Sequence, residues 1–142
     1  MFKRQKKYQE LIKSKNAYDV KQFAINHINS LSEEQRYKII LMAKKELSVA
    51  TNLLVLTDIV HFTTEERIIL LQSVIDKNVE NVLFLINNGF MFSKTELDLV
   101  VGSVIRNKSS KVAKSLCSKY ALPLEISDIL SSMVVMQTLE QK

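Results

Sequence analysis

The sequence predicts an all-α protein, a short right-handed solenoid of about four helical hairpins followed by one C-terminal helix. Three observations support this fold class. Glycine and proline are scarce, with 2 Gly and 1 Pro among 142 residues. Apolar positions repeat with a period of 31 residues, and helix-capping motifs recur at nearly the same interval.

Length and composition indicate a single globular domain. The chain has 142 residues, of which 46% are apolar and 25% charged, and such a composition can form a packed core. Turn-dense β-sandwiches and glycine-rich phosphate loops need more glycine and proline than this chain contains. We therefore expect one helical-repeat domain over residues 1–142.

The repeat is clearest in the second half of each 31-residue unit, where Phe23, Leu54, Leu85 and Leu116 occupy equivalent positions. Other apolar columns lie three or four residues away, which is the spacing of one buried helical face. Polar residues interrupt each unit near its middle, so the unit is predicted to be two helices joined by a tight turn. The predicted hairpins cover residues 5–29, 32–61, 64–91 and 94–121.

Capping boxes mark the beginning of three hairpins. In this motif a Ser or Thr and a Glu or Gln three residues later each accept a hydrogen bond from the other's backbone amide. The boxes start at Ser32, Thr63 and Ser93. Pro123 suits the start of one more helix, at about residues 125–139. The alternative to a solenoid is an irregular bundle of helices that have similar lengths.

The third unit resembles a known repeat family. Residues 78–90 read NVENVLFLINNGF. This segment is similar to the second helix of an ankyrin repeat, in which a Val-Glu-x-Val pattern precedes a leucine-rich run and a closing glycine. The fourth unit is a weaker match, and no unit has the Thr-Pro-Leu-His opening of the family. The resemblance covers about two of the four units and implies a concave helical surface that binds proteins without catalysis.

The sequence contains no convincing set of catalytic or metal-binding residues. His27 and His61 occupy different columns of the repeat, and Cys117 falls in a core column. The acidic pairs at 33–34 and 65–66 suit the first turns of helices, where the helix dipole favours negative charge. We therefore expect a non-enzymatic protein with no catalytic residue, no metal site and no cofactor.

The pattern of apolar residues bears on the location of the protein. The basic first 15 residues are not followed by the apolar core of a secretory signal. No apolar stretch approaches the roughly 20 residues that span a bilayer, and one cysteine cannot form an internal disulfide. We expect a cytoplasmic protein with no membrane partner. Its high content of Lys, Ile and Asn is typical of AT-rich genomes, such as those of many phages.

Positive charge is concentrated in two segments. Residues 1–15 contain six basic and one acidic side chain, a net charge of +5 that equals the charge of the whole chain, and residues 99–124 contain five basic and no acidic side chains. Basic residues also recur at the turn inside each hairpin, which predicts a basic ridge if the hairpins stack. Helix dipoles account for part of this pattern. The candidate binding residues are Lys3, Arg4, Lys6, Lys7, Lys13, Lys15, Lys44, Lys45, Lys77, Arg106, Lys108, Lys111 and Lys114.

These observations predict a non-enzymatic interaction protein, a helical-repeat adaptor or inhibitor, with another protein as its partner. The alternative is a nucleic-acid-binding regulator, for RNA or DNA, that uses the N-terminal arm and the basic ridge to attract phosphates. A third option is a homodimer through the C-terminal helix. Its residues Leu130, Met133, Val134 and Met136 offer more apolar surface than a single packing face needs.

Overall fold

The computed structural model describes residues 17–56 and 61–140. Within these ranges the chain forms eight α-helices and two short 3-10 helices, with no strand, so the predicted all-α class is confirmed. The α-helices are α1 (Ala17–His27), α2 (Glu33–Ala43), α3 (Leu47–Val55), α4 (Thr64–Lys77), α5 (Val82–Asn87), α6 (Lys94–Asn107), α7 (Ser110–Lys119) and α8 (Leu124–Glu140). The 3-10 helices are Ile28–Ser30 and Val79–Asn81.

The chain divides into two compact units, residues 1–74 and 75–142, with the boundary inside α4. In the first unit α1 packs against α2 and α3, and α2 also packs against α3. In the second unit α7 packs against α5, α6 and α8. The second helices of consecutive hairpins are therefore neighbours within each unit, as α1 with α3 and α5 with α7.

All three predicted capping boxes are present, and they begin α2, α4 and α6. The Ser32 hydroxyl accepts from the Gln35 amide at 3.2 Å, and the Gln35 side chain accepts from the Ser32 amide at 3.2 Å. Thr63 and Glu66 exchange the same two bonds at 3.1 and 2.8 Å. Ser93 and Glu96 do so at 3.2 and 2.7 Å. Each box satisfies amides that the first turn of a helix leaves without partners.

The repeated apolar columns supply most of the core. Four aligned residues of the second helices are buried, namely Phe23, Leu54, Leu85 and Leu116. Three aligned residues of the first helices are also buried, namely Ile39, Leu70 and Val101. Two members of other columns are exposed. Ile105, which the period aligns with the buried Val74, is 42% exposed because it lies in the last turn of α6, and Ala121, which it aligns with the buried Phe90, is exposed because it follows the end of α7. Cys117, expected in the core, is half-buried, with its Sγ 3.9 Å from the Ser131 hydroxyl on α8.

Some boundaries differ from the prediction. The turn between α2 and α3 covers residues 44–46, slightly before the polar stretch at 46–48. The second helix of the third hairpin begins with the 3-10 turn Val79–Asn81, because the Asn78 side chain accepts from the Glu80 amide at 2.9 Å and tightens the first turn. The terminal helix, α8, lies within one residue of its predicted limits at both ends. Residues 1–16 and 57–60, which include the first helix of the first predicted hairpin, lie outside the described residues.

Gly89 ends the third hairpin for a conformational reason. Its φ is 75°, in the left-handed region that glycine adopts without steric cost. The Phe90 amide reaches back to the Leu85 carbonyl at 3.0 Å, and the Gly89 amide donates to the Ile86 carbonyl at 3.1 Å. These two bonds form a Schellman motif, which satisfies the last carbonyls of α5.

In the first unit, consecutive hairpins are joined by Arg36 of α2. Its Nη1 donates to the Ile28 carbonyl at 2.7 Å, and its Nη2 donates to the His61 carbonyl at 2.8 Å. The same guanidinium forms a two-pronged ion pair with Glu66, in which Nε lies 3.1 Å from Oε2. We call Arg36, Glu66 and the two carbonyls the first joint.

In the second unit, the corresponding contact is aromatic. Tyr120, which follows α7, donates its hydroxyl to the Phe90 carbonyl. The Phe92 ring lies between the other two, with centroids 4.9 Å from Phe90 and 5.6 Å from Tyr120. We call these three residues the second joint.

Candidate interaction surfaces

A cleft of about 480 Å³ opens where two turns of the second unit come together. One turn follows α4 and the other connects α6 to α7. The lining residues are Lys77, Asn78, Val79, Glu80, Asn107, Lys108, Ser109, Ser110, Lys111 and Gln137. Two of the turns that the sequence assigned to the basic ridge therefore face one cleft.

Local hydrogen bonds hold the second of these turns in shape. The Asn107 amide group donates to the Ser103 carbonyl at 2.8 Å, and the Ser109 amide donates to the Val104 carbonyl at 3.1 Å. Lys108, between them, adopts the left-handed conformation with a φ of 53°. The Ser109 hydroxyl then accepts from the Val112 amide at 3.5 Å and caps α7. The chain consequently reverses within two residues and places Lys108 and Lys111 on the same side of the turn as the cleft.

The cleft is predominantly basic. Lys77, Lys108 and Lys111 line it, and Glu80 is its one acidic lining residue. All four residues are exposed to solvent. Within the described part of the chain, Lys108 and Lys111 form no salt bridge. Among these residues, neither lysine is paired with a carboxylate.

The remaining candidate basic residues lie in several places. Arg106 and Lys114 are exposed in the second unit, and Lys114 is one turn along α7 from Lys111. Lys44 is half-buried and Lys45 exposed, both just after α2 in the first unit. The candidates in the N-terminal arm lie outside the described residues: Lys3, Arg4, Lys6, Lys7, Lys13 and Lys15.

The outer face of α8 is apolar and exposed. Its opposite face packs against α7 and buries Leu130 completely, while Met133 and Val134 are half-buried. The exposed apolar residues of the helix are Leu124, Ile129, Val135, Met136 and Leu139, whose exposed fractions run from 48% to 76%. A shallow groove of about 410 Å³ runs along this face and is lined by Asp128, Ser131, Ser132, Val135 and Met136.

The sequence of α8 is acidic. It contains Glu125, Asp128 and Glu140 and neither lysine nor arginine. Asp128 lines the groove beside Val135 and Met136. The outer face of α8 therefore combines apolar side chains with acidic ones.

Two titratable groups in the joints have shifted pKa values. Burial would raise the pKa of Glu66, but the Arg36 hydrogen bond, the Thr63 amide and the Arg36 charge together lower it below its usual 4.5. Burial raises the pKa of Tyr120 above its usual 10.0. The lowering at Glu66 follows from its contacts with Arg36 and Thr63, and the rise at Tyr120 follows from burial.

The histidines and capping glutamates, which are residue types capable of catalysis or metal binding, make structural contacts. The His27 ring lies 4.8 Å from the Phe23 ring, and the His61 amide donates to the Asn29 side chain at 3.0 Å. Glu66 and Glu96 complete capping boxes. Among the residues that the structure describes, no group of three or more His, Cys, Asp or Glu side chains lies close enough to hold a metal ion.

Sequence reasoning found part of each surface and missed the rest. It identified the three cleft lysines and Met136, but it did not identify Glu80 and Gln137 in the cleft. It also missed Val135 and Leu139 on α8, although their four-residue spacing signals a second apolar stripe on this helix.

None of the described helices is both long enough and apolar enough to cross a lipid bilayer. Comparisons of the chain with protein-family models, with curated proteins and with solved structures gave no match.

Proposed function

We propose that this chain is a non-enzymatic interaction protein that binds a helix of another protein on the outer face of α8. The observation that supports this function is the row of exposed apolar residues on a helix whose opposite face is already packed. Contiguous exposed apolar surface of this kind is typical of sites where proteins dock.

Charge complementarity supports a basic amphipathic helix as the partner. Glu125 and Asp128 are exposed on α8, and the helix has no lysine or arginine to balance them. A partner helix with an apolar stripe and flanking lysines would bury Val135 and Met136 and place a cation against Asp128. A second copy of the chain is a poorer partner, because it would bring two acidic helices together.

The wider architecture fits such a role. We propose that the hairpins stack as a right-handed solenoid with a 31-residue period, like a degenerate ankyrin-type adaptor in the cytoplasm. Supporting this, α1 neighbours α3 and α5 neighbours α7, and the aligned residues Leu54 and Leu116 are buried. Stacked hairpins present extended surfaces suited to protein partners.

Two designed helical peptides test the proposal. They share an apolar stripe and differ only in the flanking residues, which are lysine in one and glutamate in the other. We expect the lysine peptide to bind at least about tenfold more tightly, because only it complements α8. Val135→Gln/Met136→Gln should weaken its binding by about tenfold, as measured by fluorescence anisotropy.

A matched variant controls for the loss of apolar surface elsewhere. Met91→Gln/Ile105→Gln removes two exposed apolar side chains of the same unit outside α8 and should leave binding unchanged. Equal binding of both peptides, or equal loss in both variants, would contradict the proposal. A concentration-dependent dimer that Val135→Gln/Met136→Gln dissolves would instead identify a second copy as the occupant.

A further inference from the structure

The basic cleft of the second unit lies outside the proposed helix-binding face. It gathers Lys77 from the end of α4, Lys108 from the turn between α6 and α7, and Lys111 from the first turn of α7. Lys77 is distant in sequence from the other two lysines, and the fold brings all three to one cleft. Binding of a partner helix to α8 does not involve these lysines, so the proposed function does not explain why they lie together.

The positive charge continues beyond the cleft. Lys114 lies one helical turn after Lys111 on α7, so the two side chains share one exposed face. Arg106, in the last turn of α6, is also exposed. Within the described residues, Arg106 and Lys114 form no salt bridge. Glu80 is the acidic group that lines the cleft, against three lysines.

We propose that this basic surface, formed by Lys77, Lys108, Lys111 and Lys114, binds the phosphate backbone of nucleic acid. Several cations along the cleft and α7 can contact successive phosphates, and each contact releases condensed counterions. The proposed contacts are to phosphates and not to bases, and no aromatic side chain lines the cleft as a platform on which unpaired bases stack. Tyr120, the nearest aromatic residue in sequence, donates its hydroxyl to Phe90 and contacts Phe92.

Salt dependence of binding to a short fluorescent DNA duplex tests the proposal on the full chain. The decisive variant is Lys108→Asn/Lys111→Gln, in which asparagine tolerates the left-handed backbone at position 108. We expect its affinity to fall roughly tenfold at about 0.1 M salt, and its slope of log K against log salt to become shallower by about 1.8, or 0.9 for each lost phosphate contact.

The matched control, Lys38→Gln/Lys94→Gln, removes two exposed lysines that do not line the cleft. It should change the affinity less than about twofold, because those lysines contact no phosphate in the proposed complex. A duplex of scrambled sequence should bind the unmodified chain equally well, since the surface reads no bases.

Several results would overturn the proposal. One is the absence of duplex binding at low salt, and another is equal loss of affinity in the cleft variant and its control. A third is loss only when Lys3, Arg4, Lys6 and Lys7 are replaced by glutamine, which would place binding in the N-terminal arm. Tighter binding to polyglutamate than to duplex would indicate an acidic protein, and dependence on base sequence would indicate base recognition.

Discussion

Each joint contains a backbone carbonyl at the same position of the 31-residue period, but a different type of side chain donates a hydrogen bond to it in each joint. Ile28 and Phe90 lie 62 residues apart, twice the repeat period, and each offers its carbonyl to a side chain from the following hairpin. In the first unit the donor is the guanidinium of Arg36, which is also paired with Glu66. In the second unit it is the phenol of Tyr120, set against aromatic rings.

The two joints therefore share the position of the acceptor and differ in the donor. A buried or half-buried carbonyl at the end of a hairpin needs a hydrogen-bond partner. The partner can come from the first helix of the next hairpin, as Arg36 does, or from just after its second helix, as Tyr120 does. The first unit consequently depends on charge, whereas the second depends on a neutral phenol.

The largest expected effect is the loss of the first joint. Arg36→Met should lower the free energy of unfolding by about 3 kcal/mol, because it leaves the Glu66 carboxylate and two carbonyls without their partner. Urea denaturation measures the total loss, and hydrogen exchange of α2 and α4 locates it. Lys38→Met, at an exposed position of the same helix, should change stability by less than about 0.5 kcal/mol. Equal losses in the two variants would show that the ion pair has no structural role.

A smaller effect is expected at the second joint. Tyr120→Phe removes one neutral hydrogen bond and keeps the ring contacts, so the free energy of unfolding should fall by about 1 kcal/mol. The change should appear in the hydrogen exchange of α5 and α7. The exposed Tyr37 offers the matched control, since Tyr37→Phe removes a hydroxyl that lies outside both joints. If Arg36→Met and Tyr120→Phe lowered the free energy of unfolding by the same amount, the proposed difference between the two joints would be wrong.

The smallest effects concern pH, and they have opposite directions in the two units. The lowered pKa of Glu66 stabilises the fold above pH 4.5, and this contribution disappears as the pH falls through the folded-state pKa. The raised pKa of Tyr120 stabilises the fold below pH 10.0, and this contribution disappears as the pH rises through the folded-state pKa. Solvent screening keeps each contribution small, because both groups are partly exposed.

Unfolding free energies measured across pH check both directions. Glu66→Gln should flatten the acid side of the profile, and Tyr120→Phe the alkaline side, with each variant leaving the other side unchanged. If either variant flattened both the acid and the alkaline side of the stability profile, Glu66 and Tyr120 would not titrate independently in their separate joints.

Local chemistry explains which parts of the fold could be predicted from sequence. A capping box lies within four residues, so Ser32, Thr63 and Ser93 signal helix starts directly. The spacing of apolar residues predicts core positions such as Leu54 and Leu116, because residues on one buried face of a helix recur every three or four positions. Ile105 departs from its column because exposure at the end of a helix depends on what packs there.

The interaction surfaces were less predictable because they depend on contacts between distant residues. The turn lysines Lys77 and Lys108 were identified as basic candidates, but only folding decides which turns share a cleft. Helix α8 is apolar on two faces, so its sequence alone does not say whether Leu130 or Val135 faces α7. The joints were missed because the Arg36 and Tyr120 donors lie at different repeat positions.

The left-handed backbone at Lys108 has a consequence for engineering. A side chain with a Cβ costs about 1 kcal/mol in this conformation relative to glycine. A design procedure that optimised thermal stability alone would therefore replace Lys108 with glycine or asparagine at once. The resulting protein would be more robust, and it would have lost a cation at the mouth of the cleft. Any stabilised version of this chain made for other purposes should keep position 108 fixed.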